Sequence, residues 1–340
     1  GRFKVMANLE SHTTGLPQDG KAAPENFGGV QLRVSIFPTV YGEKIVCRIF
    51  NPNSKTFDIS RLGFDDETLE KFKELTSKPT GLMLLTGPTG SGKTTAIYAA
   101  IGYLLEKHGN AVAVSSVEDP VEQNLDWVNQ SSLNPARGYN YPAALRSLMR
   151  QDPEIIMVGE IRDEETAEIA INAGMTGHLV ISTLHSNTTS GTFARLINMD
   201  IEPFLLASTI IGVLGVRLLR TNCMHCAVPY TPEPYALEQL LQFEGNEYVQ
   251  SLMDQQGFYK GNGCSACSDT GFTGRSSVNE LLVCDEAIRE AVMQKKASRD
   301  IQALSVEAGM RTLWDSGLQM VVDRKTTLEE TLQKVAADQV

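Results

Sequence analysis

The chain has 340 residues, 42% hydrophobic and 21% charged, the balance of a soluble globular protein with room for two modest domains. Its 41 acidic and 30 basic residues leave a net charge of −11, which speaks against a nucleic-acid partner. No apolar run approaches the ~18 residues of a membrane span, no signal peptide is visible, and six cysteines in so long a chain make no disulfide scaffold, so a reducing, cytosolic compartment is expected.

The chain begins at Gly1, which points to further sequence upstream. RFKVMANLE suits a short helix. HTTGLPQDGKAAPENFGG is polar, rich in Gly and Pro, and reads as loop. VQLRVSIF then alternates, with Val30, Leu32, Val34 and Ile36 on one face and Arg33 on the other. EKIVCRIF places Ile45, Cys47 and Ile49 on one face and Arg48 opposite. The link PTVYGE carries Pro38 and Gly42, so the two segments read as a hairpin. Centred between Val40 and Tyr41, that hairpin sets Arg33 across from Arg48. Like charges so placed repel unless an anion lies between them. Solvated surface arginines and an anion clamp both fit the pattern. NPNSKTFDIS reads as a linker that closes a first domain, residues 1–57.

From Leu62 onward, helices and apolar strands alternate. DDETLEKFKELTS is a helix with acidic residues in its first turn. GLMLLTG is a buried strand, and TTAIYAAIGYLLEKHG a helix closed by Gly109. NAVAVSSVED, EIIMVGE and HLVISTLH are three further strands. The alternation predicts a mainly parallel sheet with helices on both faces. Beyond residue 280 the pattern is helical throughout, and KTTLEETLQKV carries a capping-box signature, Thr327 with Glu330.

GPTGSGKT, residues 87–94, fits G-x-x-x-x-G-K-[ST] between an apolar strand and a helix, the context the motif requires. Gly87, Gly90 and Gly92 let backbone N–H groups curl around phosphate oxygens, and the helix N-terminus adds positive potential. Lys93 would reach the β- and γ-phosphates, and Thr94 would hold Mg²⁺. The motif names a nucleotide-binding class and no more.

Two carboxylates stand at strand ends, where open α/β sheets bind ligands: Glu160 in EIIMVGE and Glu118 in SSVED, with Asp119 beside it. Hydrolysis needs one acidic group near Mg²⁺ and one to orient or deprotonate water. Asp163, Glu164 and Glu165 suit a helix N-terminus instead. His178 and His185 are an odd seven residues apart, so in a strand they face opposite ways. His185 falls at the phosphate end and His178 at the entry end. Arg146 and Arg150, four apart, would share one helix face, either solvated or neutralising phosphate in this subunit or the next.

Four of the six cysteines form two Cys-x-x-Cys pairs, Cys223 with Cys226 and Cys264 with Cys267, separated by 37 residues. Two such knuckles suit a Cys₄ zinc site. The gap is longer than usual, but its middle, PYALEQLLQFEGNEYVQSLMD, reads as a helical excursion. A thioredoxin-like redox pair would need a helix directly after the motif, and neither pair has one.

Taken together, GPTGSGKTT, VEDPVE, LRSLMRQDPEIIMVGEIRDEETAEIA and TGHLVISTLHSN resemble the secretion ATPases of type II secretion and type IV pilus assembly. The resemblance extends upstream through LPQDGK and LRVSIFPTVYGEKIVCRIF. It implies an α/β, RecA-like P-loop ATPase core (residues 58–220) after a small α+β N-terminal domain. A Cys₄ zinc-binding insert (221–275) and a helical C-terminal region (276–340) follow. Nucleotide contacts would come from Gly87, Pro88, Thr89, Gly90, Ser91, Gly92, Lys93, Thr94 and Thr95. Glu118 would activate water, Glu160 would sit near Mg²⁺ with Thr94, and His185 would close the histidine box. Arg33, Arg48, Arg146 and Arg150 would face phosphate, and Cys223, Cys226, Cys264 and Cys267 would bind zinc.

The same resemblance implies ATP, Mg²⁺ and Zn²⁺ as cofactors and a homohexamer at the cytoplasmic side of the inner membrane, without a span of its own. That ring would push a membrane platform protein and work with a cytoplasmic membrane-docking partner, and the family's further N-terminal region, which docks to the platform, is expected to be absent from this chain. A pilus-retraction ATPase shares the hydrolysis motifs but is expected to lack the Cys₄ loop. A nucleic-acid-translocating motor and a non-hydrolysing module are more distant readings. This chain departs from the family pattern at Thr188 and Thr189, where Asp-Ala is usual, and at Val216, where Gln is usual.

Overall fold

The computed structural model describes residues 1–22, 31–50, 57–109, 111–255 and 257–335. The chain divides into two compact units, Gly1–Phe57 with Glu122–Asn124, and Asp58–Val121 with Leu125–Val340.

In the first unit, α1 (Arg2–Met6) precedes an antiparallel sheet of β1 (Gln18–Ala22), β2 (Gln31–Thr39) and β3 (Gly42–Phe50), in that order. The β2–β3 register pairs Thr39 with Gly42 and Arg33 with Arg48, so the two arginines stand opposite each other. Val34 and Ile36 bury one face with Ala7, and Leu9 and Cys47 pack beside them. Lys4 is buried too, its ammonium satisfied by Glu43 at 2.7 Å and the Thr13 carbonyl at 2.6 Å. β1 corrects the sequence reading of loop. Its side chains show no apolar alternation, and it is a strand because its backbone pairs with β2. Gly20 permits this, since a Cβ there would come 2.3 Å from the Ala7 carbonyl oxygen. Val30, with the rest of residues 23–30, and linker residues 51–56 lie outside the described residues.

In the second unit, α2 (Asp66–Thr76) is capped by Asp65, which accepts from Thr68 N at 3.1 Å. Then come β4 (Gly81–Thr86), α3 (Lys93–His108), β5 (Val114–Glu118), β6 (Asn129–Ser132), α4 (Tyr141–Leu148), β7 (Ile155–Val158), α5 (Glu164–Met175) and β8 (Leu179–Leu184). α6 (Gly191–Ile197) and α7 (Pro203–Thr209) lead to β9 (Ile210–Asn222). β10 (Ala227–Tyr230), α8 (Pro234–Glu244), α9 (Asn246–Gln255) and β11 (Phe258–Gly261) form an excursion that returns as β12 (Phe272–Val283). α10 (Glu286–Met293), α11 (Ser298–Glu307), α12 (Leu313–Val322) and α13 (Leu328–Val335) follow.

Seven strands in the order β12-β9-β4-β8-β7-β5-β6 make one sheet, parallel except for the β9–β12 pair. Every residue of β4, β5, β7 and β8 is buried, as a parallel sheet covered on both faces requires. One face packs Leu82, Leu84, Ile156, Val158 and Val180 against Leu145 of α4 and Ile171 of α5. The sheet therefore extends past residue 280, to Val283, before the helices begin. The excursion is two helices rather than one, broken at Gly245 with φ 79°.

Candidate functional site

β4, β8, β7 and β5 are neighbours and parallel, so their C-terminal ends open at one edge of the sheet. The phosphate loop follows β4, His185 follows β8, Glu160 follows β7 and Glu118 closes β5. Segments distant in the chain thus converge where open α/β sheets bind ligands.

The turn from β4 into α3 runs through Gly87, Gly90 and Gly92 at φ 146°, 77° and 101°, conformations that side chains disfavour. At Gly87 space is also limiting, since a Cβ would sit 2.5 Å from the Val216 carbonyl oxygen. Lys93 is buried and folds back over the loop, donating to the Gly87 carbonyl at 2.6 Å and that of Pro88 at 3.0 Å. Ser91 Oγ is buried without a hydrogen-bond partner among the described residues. Pro88, Thr89, Gly90 and Thr95 are exposed, and Thr94 is half-buried. A buried ammonium, an orphan hydroxyl and the first turn of a 16-residue helix suit an incoming phosphate.

Glu160 is half-buried and shared between Arg162 and His185. Arg162 Nη2 donates to its Oε1, and His185 Nε2 lies 3.4 Å from its Oε2. Arg162 also reaches Asp119 at 3.3 Å. Burial alone would raise the Glu160 pKa. The hydrogen bond and charge of Arg162, with the charges of His185 and Lys93, outweigh it and hold the carboxyl below its ordinary range. Tyr141 stands beside this cluster, and burial together with Glu160 and Asp119 pushes its phenol up, so it stays protonated. Sequence reasoning missed Arg162, although its place two residues after a strand-end glutamate was a usable signal. Because Arg162 favours the ionised form, Arg162→Met should raise the Glu160 pKa. The acid limb of a pH–rate profile should then move to higher pH, and an unmoved limb would show that Arg162 does not set it.

Glu118 is only 3% exposed. Tyr98 Oη, from α3, donates to its Oε2 at 2.5 Å, while Ser116 Oγ at 2.7 Å and Gln130 Nε2 at 3.0 Å donate to Oε1. The carboxylate is thereby tied to the helix that follows the phosphate loop.

Arg146 pairs with Glu165 in the first turn of α5. Arg150 does not share its helix face, because α4 ends at Leu148. Asp152 takes φ 51° before Pro153, a place where helix cannot continue, and the amides of Arg150 and Gln151 bond to Ser147 and Leu148 three residues back. Arg33 and Arg48 belong to the first unit. His178 sits at the entry end of β8, where its Nδ1 lies 3.0 Å from the Ala173 carbonyl oxygen near the end of α5, away from the site edge.

Arg217 was not foreseen either. It is a buried cation on β9, donating to the Asn187 carbonyl at 2.7 Å and to that of Val216 at 3.1 Å. With Arg220 and Arg275 it lines a cavity of 640 Å³ shared with Pro88 to Ser91. The only signal was an arginine inside an otherwise apolar segment.

At the far end of the β9–β12 pair, the sulfurs of Cys223, Cys226, Cys264 and Cys267 all lie within 4.8 Å of one another. Cys223–Cys264 and Cys264–Cys267 are 3.8 Å apart and Cys226–Cys267 3.9 Å. A tetrahedron with ~2.3 Å metal–sulfur arms has an edge of ~3.8 Å, so the four thiols fit a tetrahedral thiophilic cation. A hydrogen bond from Thr273 helps hold Cys223 down to about 6, whereas burial and neighbouring thiols push Cys226 up to about 12. Without a cation, four adjacent sulfurs do not all ionise.

The chain is 43% identical over 332 residues to the type IV pilus assembly ATPase PilB of Thermus thermophilus, covering 97% of this chain and 36% of that protein. It is 40% identical over 337 residues to the type II secretion system protein E of Xanthomonas campestris pv. campestris, covering 98% of this chain and 57% of that protein. It thus spans only part of the curated relatives it matches. Among solved structures, the pilus retraction motor PilT with bound ADP superposes with a TM-score of 0.65 at 24% identity, over 93% of this chain and 77% of that one, a likeness of fold. Residues 1–333 match the type II/IV secretion system protein family, and the chain belongs to it.

Proposed function

We propose that this chain is the ATP-hydrolysing part of a motor that powers type II secretion or type IV pilus assembly. The observation that carries this reading is the convergence of the phosphate loop, Glu160, His185 and Glu118 on one sheet edge, in a chain of this family. ATP would seat its β- and γ-phosphates in residues 87–94. Lys93 then exchanges the Gly87 and Pro88 carbonyls for phosphate oxygens, and Ser91 Oγ gains a partner. Thr94 and Glu160 would hold Mg²⁺, which supplies positive charge against the β- and γ-oxygens. The lowered pKa of Glu160 keeps it ionised for that task at neutral pH. Glu118 orients water: a carboxylate offers about four acceptor sites, and its three donors leave one for the nucleophile. Arg33, Arg48, Arg146 and Arg150 would add positive charge near the phosphates, from this subunit or the next in a ring of six.

The four cysteines would hold a structural Zn²⁺, since four thiolates leave no position open for water. By the resemblance, such knuckles favour assembly or secretion over retraction. No helix among the described residues is long and apolar enough to cross a membrane. The motor would work at the cytoplasmic face of the inner membrane through a platform protein and a docking partner. Mg²⁺-dependent ATP hydrolysis tests this reading. Glu160→Gln should lower turnover by about 100-fold and Arg33→Ala by about 10-fold, and wild-type rates in both would refute it.

A further inference from the structure

Glu280, on β12, is 4% exposed and surrounded by neutral donors. Thr189 Oγ1 donates to its Oε1. Gln302 Nε2, from α11, and Leu313 N, the first residue of α12, donate to Oε2 at 3.1 and 3.2 Å. No cation pairs with it among the described residues, and burial pushes its pKa up. An ionised carboxylate so placed is a poor choice for stability alone, because a neutral side chain of the same shape avoids the desolvation cost.

The donor from Thr189 matters because of where that residue lies. Residues 185–190 form the loop that starts with His185, beside Glu160. Its near end is held twice: Thr86 Oγ1 donates to the Ser186 carbonyl at 2.6 Å, and Arg217 donates to that of Asn187 at 2.7 Å. Its far end is held by Glu280 through Thr189. Thr189 and Ser190 are buried there, but packing is incomplete. There a cavity of 340 Å³ opens between Thr188, Ser190, Glu280, Gln302, Leu313 and Trp314. Directional bonds supplement this packing, and the Glu280 bond is the one that also reaches α11 and α12.

We propose that Glu280 is a positioning residue for the hydrolysis reaction, acting through Thr189 to hold the loop that sets His185 against Glu160 and linking that loop to α11 and α12. This rests on the ATPase reading above for its kinetic consequence but not for the tether itself. Thr189→Val keeps the shape and removes the side-chain donor, leaving the Thr189 backbone bond to Glu280 in place; Thr189→Ser restores the side-chain donor. The whole 340-residue chain is used, with hydrogen exchange of residues 186–191, melting temperature, and kcat and KM for Mg-ATP as readouts.

Thr189→Val should speed exchange across the loop and lower kcat by about 10-fold, with KM within about 2-fold and an unchanged melting temperature. Thr189→Ser should restore both. Glu280→Gln should melt no lower than wild type while exchange in the loop still rises. Wild-type exchange in both Thr189→Val and Glu280→Gln overturns the tether. Faster exchange with unchanged kcat in an active enzyme overturns the positioning role. A wild type without turnover would instead count against the ATPase reading, and exchange would still decide the tether.

Discussion

Lys93→Ala is expected to lower ATP turnover by about 100- to 1,000-fold, the cost of losing one preorganised donor at a site of developing charge. The ammonium is buried and already desolvated, and two carbonyls of the loop itself hold it in place. Phosphate oxygens carrying full negative charge would replace carbonyl oxygens carrying partial charge, so the exchange is downhill when nucleotide binds. Removal has a second effect, because Lys93 is among the cations that keep Glu160 ionised. Lys93→Ala should therefore raise the Glu160 pKa as well as weaken nucleotide binding. A substitution by arginine would not rescue either, since the buried pocket receives a single ammonium and not a planar fork. Turnover within a few-fold of wild type in Lys93→Ala would remove the phosphate loop from the mechanism.

What the sequence disclosed followed from local constraint. A glycine-rich turn between an apolar strand and a helix has few other uses, and a glutamate one glycine past four buried β residues stands at a sheet edge. What stayed hidden depended on partners distant in the chain. β9 and β12 escaped notice because 13 and 12 residues of mixed apolar and glycine pattern carry no clean alternation when both faces are covered. Gly212 in β9 is needed for packing, as a Cβ there would come 2.8 Å from Leu75 of α2. The capping-box signature is half realised. Thr327 Oγ1 does accept from Glu330 N at 3.2 Å, but the Glu330 carboxylate turns to Arg220 Nε at 2.9 Å and the Arg220 amide at 3.1 Å. A charge-assisted contact 110 residues away outcompeted the local one. Arg162 and Arg217 take their places beside Glu160 and Asn187 for the same reason: tertiary neighbours, not spacing, define them.

Stripping metal from the cysteine cluster should loosen the excursion while leaving nucleotide binding intact. Structural zinc contributes binding free energy of about 10 kcal/mol or more, comparable to the whole stability of a domain. The knuckles themselves offer little else. Residues 223–226 and 264–267 are short turns, joined by the four-residue pairing of β10 with β11 and by two backbone bonds, Cys223 N to the Gly271 carbonyl and Asn262 N to that of Cys226, each 2.9 Å. The excursion helices are anchored differently. Ala236, Leu240, Val249 and Leu252 pack with Trp314, Leu318, Leu328 and Leu332, and Trp314 Nε1 donates to Glu244 at 2.5 Å. After chelation, or in Cys264→Ser, hydrogen exchange should accelerate first in residues 223–230 and 258–271. α8 and α9 should follow later, and residues 87–94 should change last. The route between them runs along β9, whose Arg220 is clamped by Glu330 and stacks 4.1 Å over the Phe272 ring. That clamp should stop the loosening short of Arg217 and the loop it supports. If ATP binding were instead lost in step with the knuckles, the cluster would be coupled to the nucleotide site through β9, and a purely structural metal would no longer account for it.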